Sequence, residues 1–171
     1  ASNHPGVDPD NIDLLERNAV PIEGDPDHYS ALLDFVSNPN FYYSELKNLM
    51  DTEEYIDYQL SQIYFNNTDW PGNNIKFWRP RTAEGKWRWI IYDTDFGFGI
   101  WNTSDYQYNT LAFALDPYGP DWPNPPWSTY LFRSVIANIE FRNDFINRFA
   151  DMMNTTFLPD RVVTHIDTLQ E

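Results

Sequence analysis

Apolar residues recur at three- and four-residue spacing over most of this chain and form strand-like runs in one place. The pattern therefore predicts a mainly α fold, of the α+β kind, with one short β-hairpin. Tyr29, Leu32, Leu33 and Val36 fall on one face behind a Pro26-Asp27 start, predicting a short helix over residues 27–36. The segment SNPNFYY interrupts it, and residues 44–50 predict a second short helix. Asp51 followed by Glu54 is a capping-box pattern, and Ile56, Leu60 and Ile63 share a face, so the strongest helix is expected from Asp51 to about Phe65. Asn66, Asn67, Thr68 and Pro71 end it. Ile75–Trp78 and Trp87–Tyr92 are aromatic and β-branched runs parted by a polar stretch with Pro80 and Gly85, which predicts the hairpin. Residues 100–127 have no clear period and are expected to form an irregular loop. Three helical patterns follow, over 129–139, 141–153 and 160–169. Residues 1–24 lack a core-forming period and are expected to be a mobile lead-in to a domain spanning 25–171.

The candidate chemistry sits on both sides of the hairpin. Asp69 and, five positions on, Asn74 precede it; Asp93 and Asp95 follow, running into Gly97 and Gly99. A hairpin returns the chain close to its start, so the two polar groups are expected to meet. Aspartates two apart on a strand share a face, which would aim Asp93 and Asp95 into one cavity, at an electrostatic cost that a cation relieves. Gly97 and Gly99 would let the backbone approach a ligand. The order D-x-x-x-x-N, strand, turn, strand, D is that of the catalytic core of protein kinases, where the first Asp faces the substrate hydroxyl and the later residues hold metal on ATP. An Asp-x-Asp pair also occurs in metal-dependent glycosyltransferases, but that reading leaves Asp69, Asn74 and the hairpin without a role.

Charge and composition narrow the partners. The formal net charge is −15, which repels nucleic acid and favours a basic protein partner. No apolar run is long enough for a membrane span. There are no cysteines, which removes thiolate metal sites and a Cys nucleophile, and the three histidines have no ligand-like spacing. The oxygen donors left favour Mg2+ or Mn2+, with Ca2+ as a further hard cation, over zinc. Aromatic residues make up 18% of the chain, a share expected mainly to fill a bulky core but also able to form stacking surfaces, and a carbohydrate- or protein-binding module is the second functional reading. Five of the eleven cations, Lys76, Arg79, Arg81, Lys86 and Arg88, fall in the hairpin, a concentration that either a phosphate-bearing ligand or cross-strand acids would explain.

The stretches NNTDWPGNNIKFWRP, GKWRWIIYDTDFGFG and ANIEFRNDFINRFADMMNTTF together resemble the spore coat protein H (CotH) kinase family over roughly residues 25–170. The resemblance implies a kinase-like C-terminal lobe, ATP as phosphoryl donor, a divalent metal, Ser-containing protein substrates, and a place in the bacterial spore coat, on the cell surface or outside the cell. It implies that Asp69 is the catalytic-loop aspartate, Asn74 a metal-binding asparagine, and Asp93 the later metal ligand. Asp95-Phe96-Gly97 reads literally D-F-G, which leaves Asp95 as the other choice. The chain starts without Met, and no Gly-rich loop or ATP-lysine strand precedes the hairpin, so it is expected to be a piece of a longer kinase whose N-terminal lobe lies outside it.

Overall fold

The computed structural model describes residues 4–101 and 104–170. Its helices fall where the apolar periods place them: α1 Asp27–Ser37, α2 Tyr43–Leu49, α3 Thr52–Phe65, then, beyond the hairpin, α5 Tyr130–Ala137, α6 Ile139–Met153 and α7 Pro159–Gln170. One further helix, α4 Thr110–Leu115, and a 3-10 turn at Asp105–Gln107 lie inside the stretch expected to be irregular. Asn109 starts α4 by accepting the Ala112 N–H at 2.9 Å. At six residues it is too short to display a period.

The expected hairpin is present as β3 Lys76–Pro80 and β4 Arg88–Ile90, but it is only half of the sheet. Residues 12–23, expected to belong to a mobile lead-in, instead form β1 Ile12–Glu16 and β2 Val20–Glu23. The four strands are antiparallel in the order β2-β1-β3-β4. Asp13 explains why β1 escapes a hydrophobic reading: the two buried positions of the strand are Asp13 and Leu15, so an acid stands where alternation would require an apolar residue.

That acid holds β1 to β3. Asp13, 2% exposed, accepts Arg79 Nη1 at 3.0 Å and Arg81 Nε at 2.7 Å. Burial would raise its carboxyl, but the hydrogen bonds from Arg81, the Asp25 N–H and Arg79 outweigh that and hold it below the usual carboxylate range. Arg88 pairs with Asp51 at 3.1 Å, and Lys76 Nζ lies 4.9 Å from the Tyr92 ring centre. The hairpin's three arginines are therefore matched by acids of neighbouring elements.

Beneath the sheet the core is aromatic. Leu15, Phe77 and Trp89 of the strands, with Trp87 just ahead of β4, meet Leu32 and Val36 of α1, Tyr55 and Leu60 of α3, and Leu131 and Phe132 of α5, all buried. Phe77 stacks on Trp89 with ring centres 5.8 Å apart, and Tyr55 meets Trp89 at 4.3 Å. Arg148 of α6 grips Asp57 of α3 with both ends of its guanidinium, at 2.6 and 2.7 Å.

Replacing Asp13 by Ala strands two guanidiniums beside a buried strand and is expected to lower stability by about 3–5 kcal/mol. The check is the urea midpoint, with the slope unchanged; a shift equivalent to less than about 1 kcal/mol would place the clamp between β1 and β3 elsewhere.

Candidate active site

Helix α3 ends at Asn66, whose backbone is left-handed at φ 49°, a conformation that Asn accepts more readily than most residues. Its side chain is used twice: Oδ1 accepts the Thr110 hydroxyl at 2.6 Å and Nδ2 donates to the Asp105 carbonyl at 3.3 Å. Asn67, 1% exposed, donates to Gln62 Oε1 at 2.9 Å and accepts the Asp69 N–H at 3.2 Å. Thr68 gives both its N–H and its hydroxyl to the Phe96 carbonyl, at 3.1 and 3.0 Å. The loop that delivers Asp69 is thus tied to α3, to α4 and to the turn after the hairpin.

Asp69 is 6% exposed. Its Oδ2 accepts two side-chain amides, Asn73 Nδ2 at 2.7 Å and Asn74 Nδ2 at 2.8 Å. The same Asn74 nitrogen lies 3.4 Å from the Asp93 carbonyl oxygen, so one amide reaches both sides of the hairpin. The orientation that satisfies these bonds leaves Asn74 Oδ1 as the acceptor end. Asn73 was not among the sequence candidates, although two consecutive asparagines after Gly72 carry the signal.

Asp93 and Asp95 meet by a different route from the one the sequence predicts. Strand β4 ends at Ile90, so neither aspartate lies on a strand face. Asp93 has a left-handed backbone at φ 52°, and the next residues turn, with Gly97 N–H bonded to the Thr94 carbonyl at 3.1 Å. Both carboxylates are exposed and face each other. Local desolvation, the Asp95 charge and the nearby Asp69 charge push the Asp93 carboxyl above its ordinary value. Gly97 is buried, and a Cβ there would stand 3.0 Å from the Phe65 carbonyl, so its bareness lets the turn pack on the end of α3. Gly99 has φ 74°, which glycine adopts at least cost.

Among the described residues no three His, Cys, Asp or Glu side chains form a metal cluster. The Asp93 and Asp95 carboxylates face each other, while Asn74 meets the Asp93 carbonyl through its nitrogen. The oxygens of Asn74, Asp93 and Asp95 are of the kind that a hard divalent cation takes.

A family model described as CotH kinase protein matches residues 6–171. The chain belongs to the CotH kinase family. Membership makes it a kinase-like protein and takes in β1 and β2 as part of the family domain, since the match starts ahead of both. Kinase families use ATP with a divalent metal in general, and this family relates to the spore coat. No curated protein and no solved structure matches the chain. Among the described residues no helix is long and apolar enough to cross a membrane.

One residue that supports the site without touching it is Glu54. Asp51 accepts the Glu54 N–H at 3.4 Å, but Glu54 does not return the bond in capping-box fashion. Both its carboxylate oxygens instead accept the Trp89 N–H, at 3.1 and 3.0 Å, closing the open edge of β4. Burial raises this carboxyl to about 7, against the opposing effect of the Trp89 bond. Because the folded state holds this proton more tightly than the unfolded one, its contribution to stability is full below the ordinary value of 4.5 and declines as pH rises to about 7. Glu54→Gln should flatten thermal stability across that window and exceed the wild type near pH 8 by about 1–3 kcal/mol. A variant that keeps the wild-type slope would assign the pH dependence to another group.

Proposed function

We propose that this chain carries the catalytic loop and metal-binding turn of a secreted bacterial protein kinase of the CotH type, which passes the γ-phosphoryl group of ATP to Ser or Thr of a protein substrate. The observation that carries the reading is the Asn74 amide, which reaches both the Asp69 carboxylate and the Asp93 backbone. Asp69, with Oδ2 held by two amides, presents Oδ1 to the substrate hydroxyl, orients it and takes its proton as the new P–O bond forms. Asn74 Oδ1, Asp93 and Asp95 would hold Mg2+, Mn2+ or Ca2+, which supplies charge neutralisation on the transferred phosphoryl group. Gly99, left-handed at φ 74°, would let the backbone approach a nucleotide, whereas Gly97, expected to do the same, is packed on the end of α3. The net charge of −15 supports a basic protein as substrate. Such a kinase acts outside the cell, at the cell surface or in the spore coat.

A second reading has its own support. Trp101, Tyr106, Tyr118 and Trp122 are all more than half exposed, as in proteins that bind carbohydrate or protein through aromatic faces. Labelled phosphate from ATP separates the two. The intact protein should transfer it to protein in the presence of Mg2+ or Mn2+, Asp69→Asn should slow transfer by at least about 100-fold, and Asp93→Ala should abolish it. Absence of transfer by the intact protein would favour the binding module.

Metal alone gives a separate check. Few of the coordination positions come from this chain, so affinity for Mg2+ is expected to be roughly millimolar and the thermal shift at saturation small. Asp93→Asn should remove the shift and leave the metal-free chain folded, because the lost charge relieves repulsion with Asp95. An unchanged metal response in that variant would place the ion elsewhere.

A further inference from the structure

Asp69 is a buried carboxylate without a cation. Among the described residues no ion pair includes it, and the donors on its Oδ2 are two neutral amides, from Asn73 and Asn74. Side chains at consecutive positions ordinarily point apart, on a helix or on a strand. These two converge on one oxygen across a turn in which the Asn74 backbone is left-handed at φ 52°, a conformation that asparagine accepts more readily than most residues. The turn is pinned twice, by the Asn73 N–H on the Asp69 carbonyl at 3.2 Å and by the Gly72 N–H on the Pro123 carbonyl.

The two amides are not equivalent. Asn74 Nδ2, 2.8 Å from Asp69, also lies 3.4 Å from the Asp93 carbonyl, and Asn74 is the one of the pair whose oxygen is offered to a metal. Asn73 Nδ2 is closer, at 2.7 Å, and among the described residues Asp69 is its one acceptor. An amide that must also answer to an arriving cation is a poor sole support for a carboxylate, because a hydrogen bond to a charged acceptor is worth more, and costs more to lose, than one between neutral groups. Asn73 has no second task of that kind.

We propose that Asn73 is a positioning residue for phosphoryl transfer. It holds Asp69 Oδ2 whether or not Asn74 engages metal, so Oδ1 keeps its direction toward the substrate hydroxyl while the ion and nucleotide come and go. The role rests on the reading of Asp69 as the group that receives the hydroxyl proton. It divides the labour within the pair: removing Asn73 impairs turnover and spares metal binding, whereas removing Asp93 impairs metal binding.

The test is phosphate transfer from labelled ATP to protamine, a basic protein with serine acceptors, by the intact protein with Mg2+. Asn73→Ala should lower kcat about 10- to 100-fold, the loss of one hydrogen bond to a charged group, with KM for ATP and for protamine within about threefold of the wild type. Asn73→Asp, equal in size but unable to donate, should lose at least as much, and Asn73→Gln, which keeps an amide on a longer stem, should recover part of the loss. Asn73 is half-buried, so Asn73→Ala should melt near the wild type and keep its thermal shift with Mg2+, which a collapsed turn would not. Wild-type kcat in both Asn73→Ala and Asn73→Asp, or a defect confined to KM or to melting temperature, would overturn the role and leave the kinase reading intact. Absence of transfer by the wild type would overturn that reading and the catalytic role with it. The hold on Asp69 has its own readout in the nuclear magnetic resonance spectrum of the isotope-labelled protein: Asp69→Ala should move the side-chain amide signals of both Asn73 and Asn74, and an unmoved Asn73 signal would overturn the proposal without any assay of transfer.

Discussion

A helix and a strand that deliver opposite halves of one site must be held in register, and here that hold lies between residues 49–54 and 87–89. Trp87 N–H bonds the Leu49 carbonyl at 3.1 Å, Asp51 N–H bonds the Trp87 carbonyl at 3.0 Å, and Glu54 takes the Trp89 N–H. Arg88 and Asp51 add an ion pair. From that seam α3 runs 14 residues, about 20 Å, before releasing the Asp69 loop, while β4 runs only three before the turn that carries Asp93. A rigid helix converts a fixed start into a fixed end. A slip of one residue at the seam would turn every side chain of β4 to the wrong face and part Asn74 from Asp93.

The same seam shows why the sequence could be read as far as it could. Helix α3 declares itself because its cap and its apolar face agree, and Asp51 does cap it. Glu54 occupies the capping-box position but serves the sheet, a choice set by tertiary contact and invisible to local pattern. β1 is hidden for a comparable reason: Asp13 breaks alternation, and its partners Arg79 and Arg81 lie more than sixty positions away. In the candidate site, the approach of Asp69, Asn74, Asp93 and Asp95 to one another was legible from their spacing around a hairpin. The left-handed turn that brings Asp93 and Asp95 together, and the second amide from Asn73, were not, because both depend on how the loop folds over the end of α3.

Composition turns out to carry two messages at once. Most aromatic rings are spent on the core, where Phe77, Trp87, Trp89 and Tyr55 pack against one another. The hairpin arginines are spent on acids of neighbouring elements. What these pairings leave over is more informative than the totals: an exposed aromatic set after the turn.

The engaged side chain of Asn66 also bears on how the protein can be made. Asn66-Asn67-Thr68 is an acceptor triplet for N-linked glycosylation. In the fold both ends of that amide are occupied, by the Thr110 hydroxyl and the Asp105 carbonyl. A sugar attached at Nδ2 by a eukaryotic secretory host would crowd that nitrogen's contact with the Asp105 carbonyl, while Oδ1 would still be able to accept from Thr110 of α4. Asn154, exposed after α6, bonds the Ala150 carbonyl of its own helix at 2.7 Å, so a glycan there would disturb only that helix end. Material from a glycosylating host and material from bacteria would therefore differ at the one loop on which the candidate site depends.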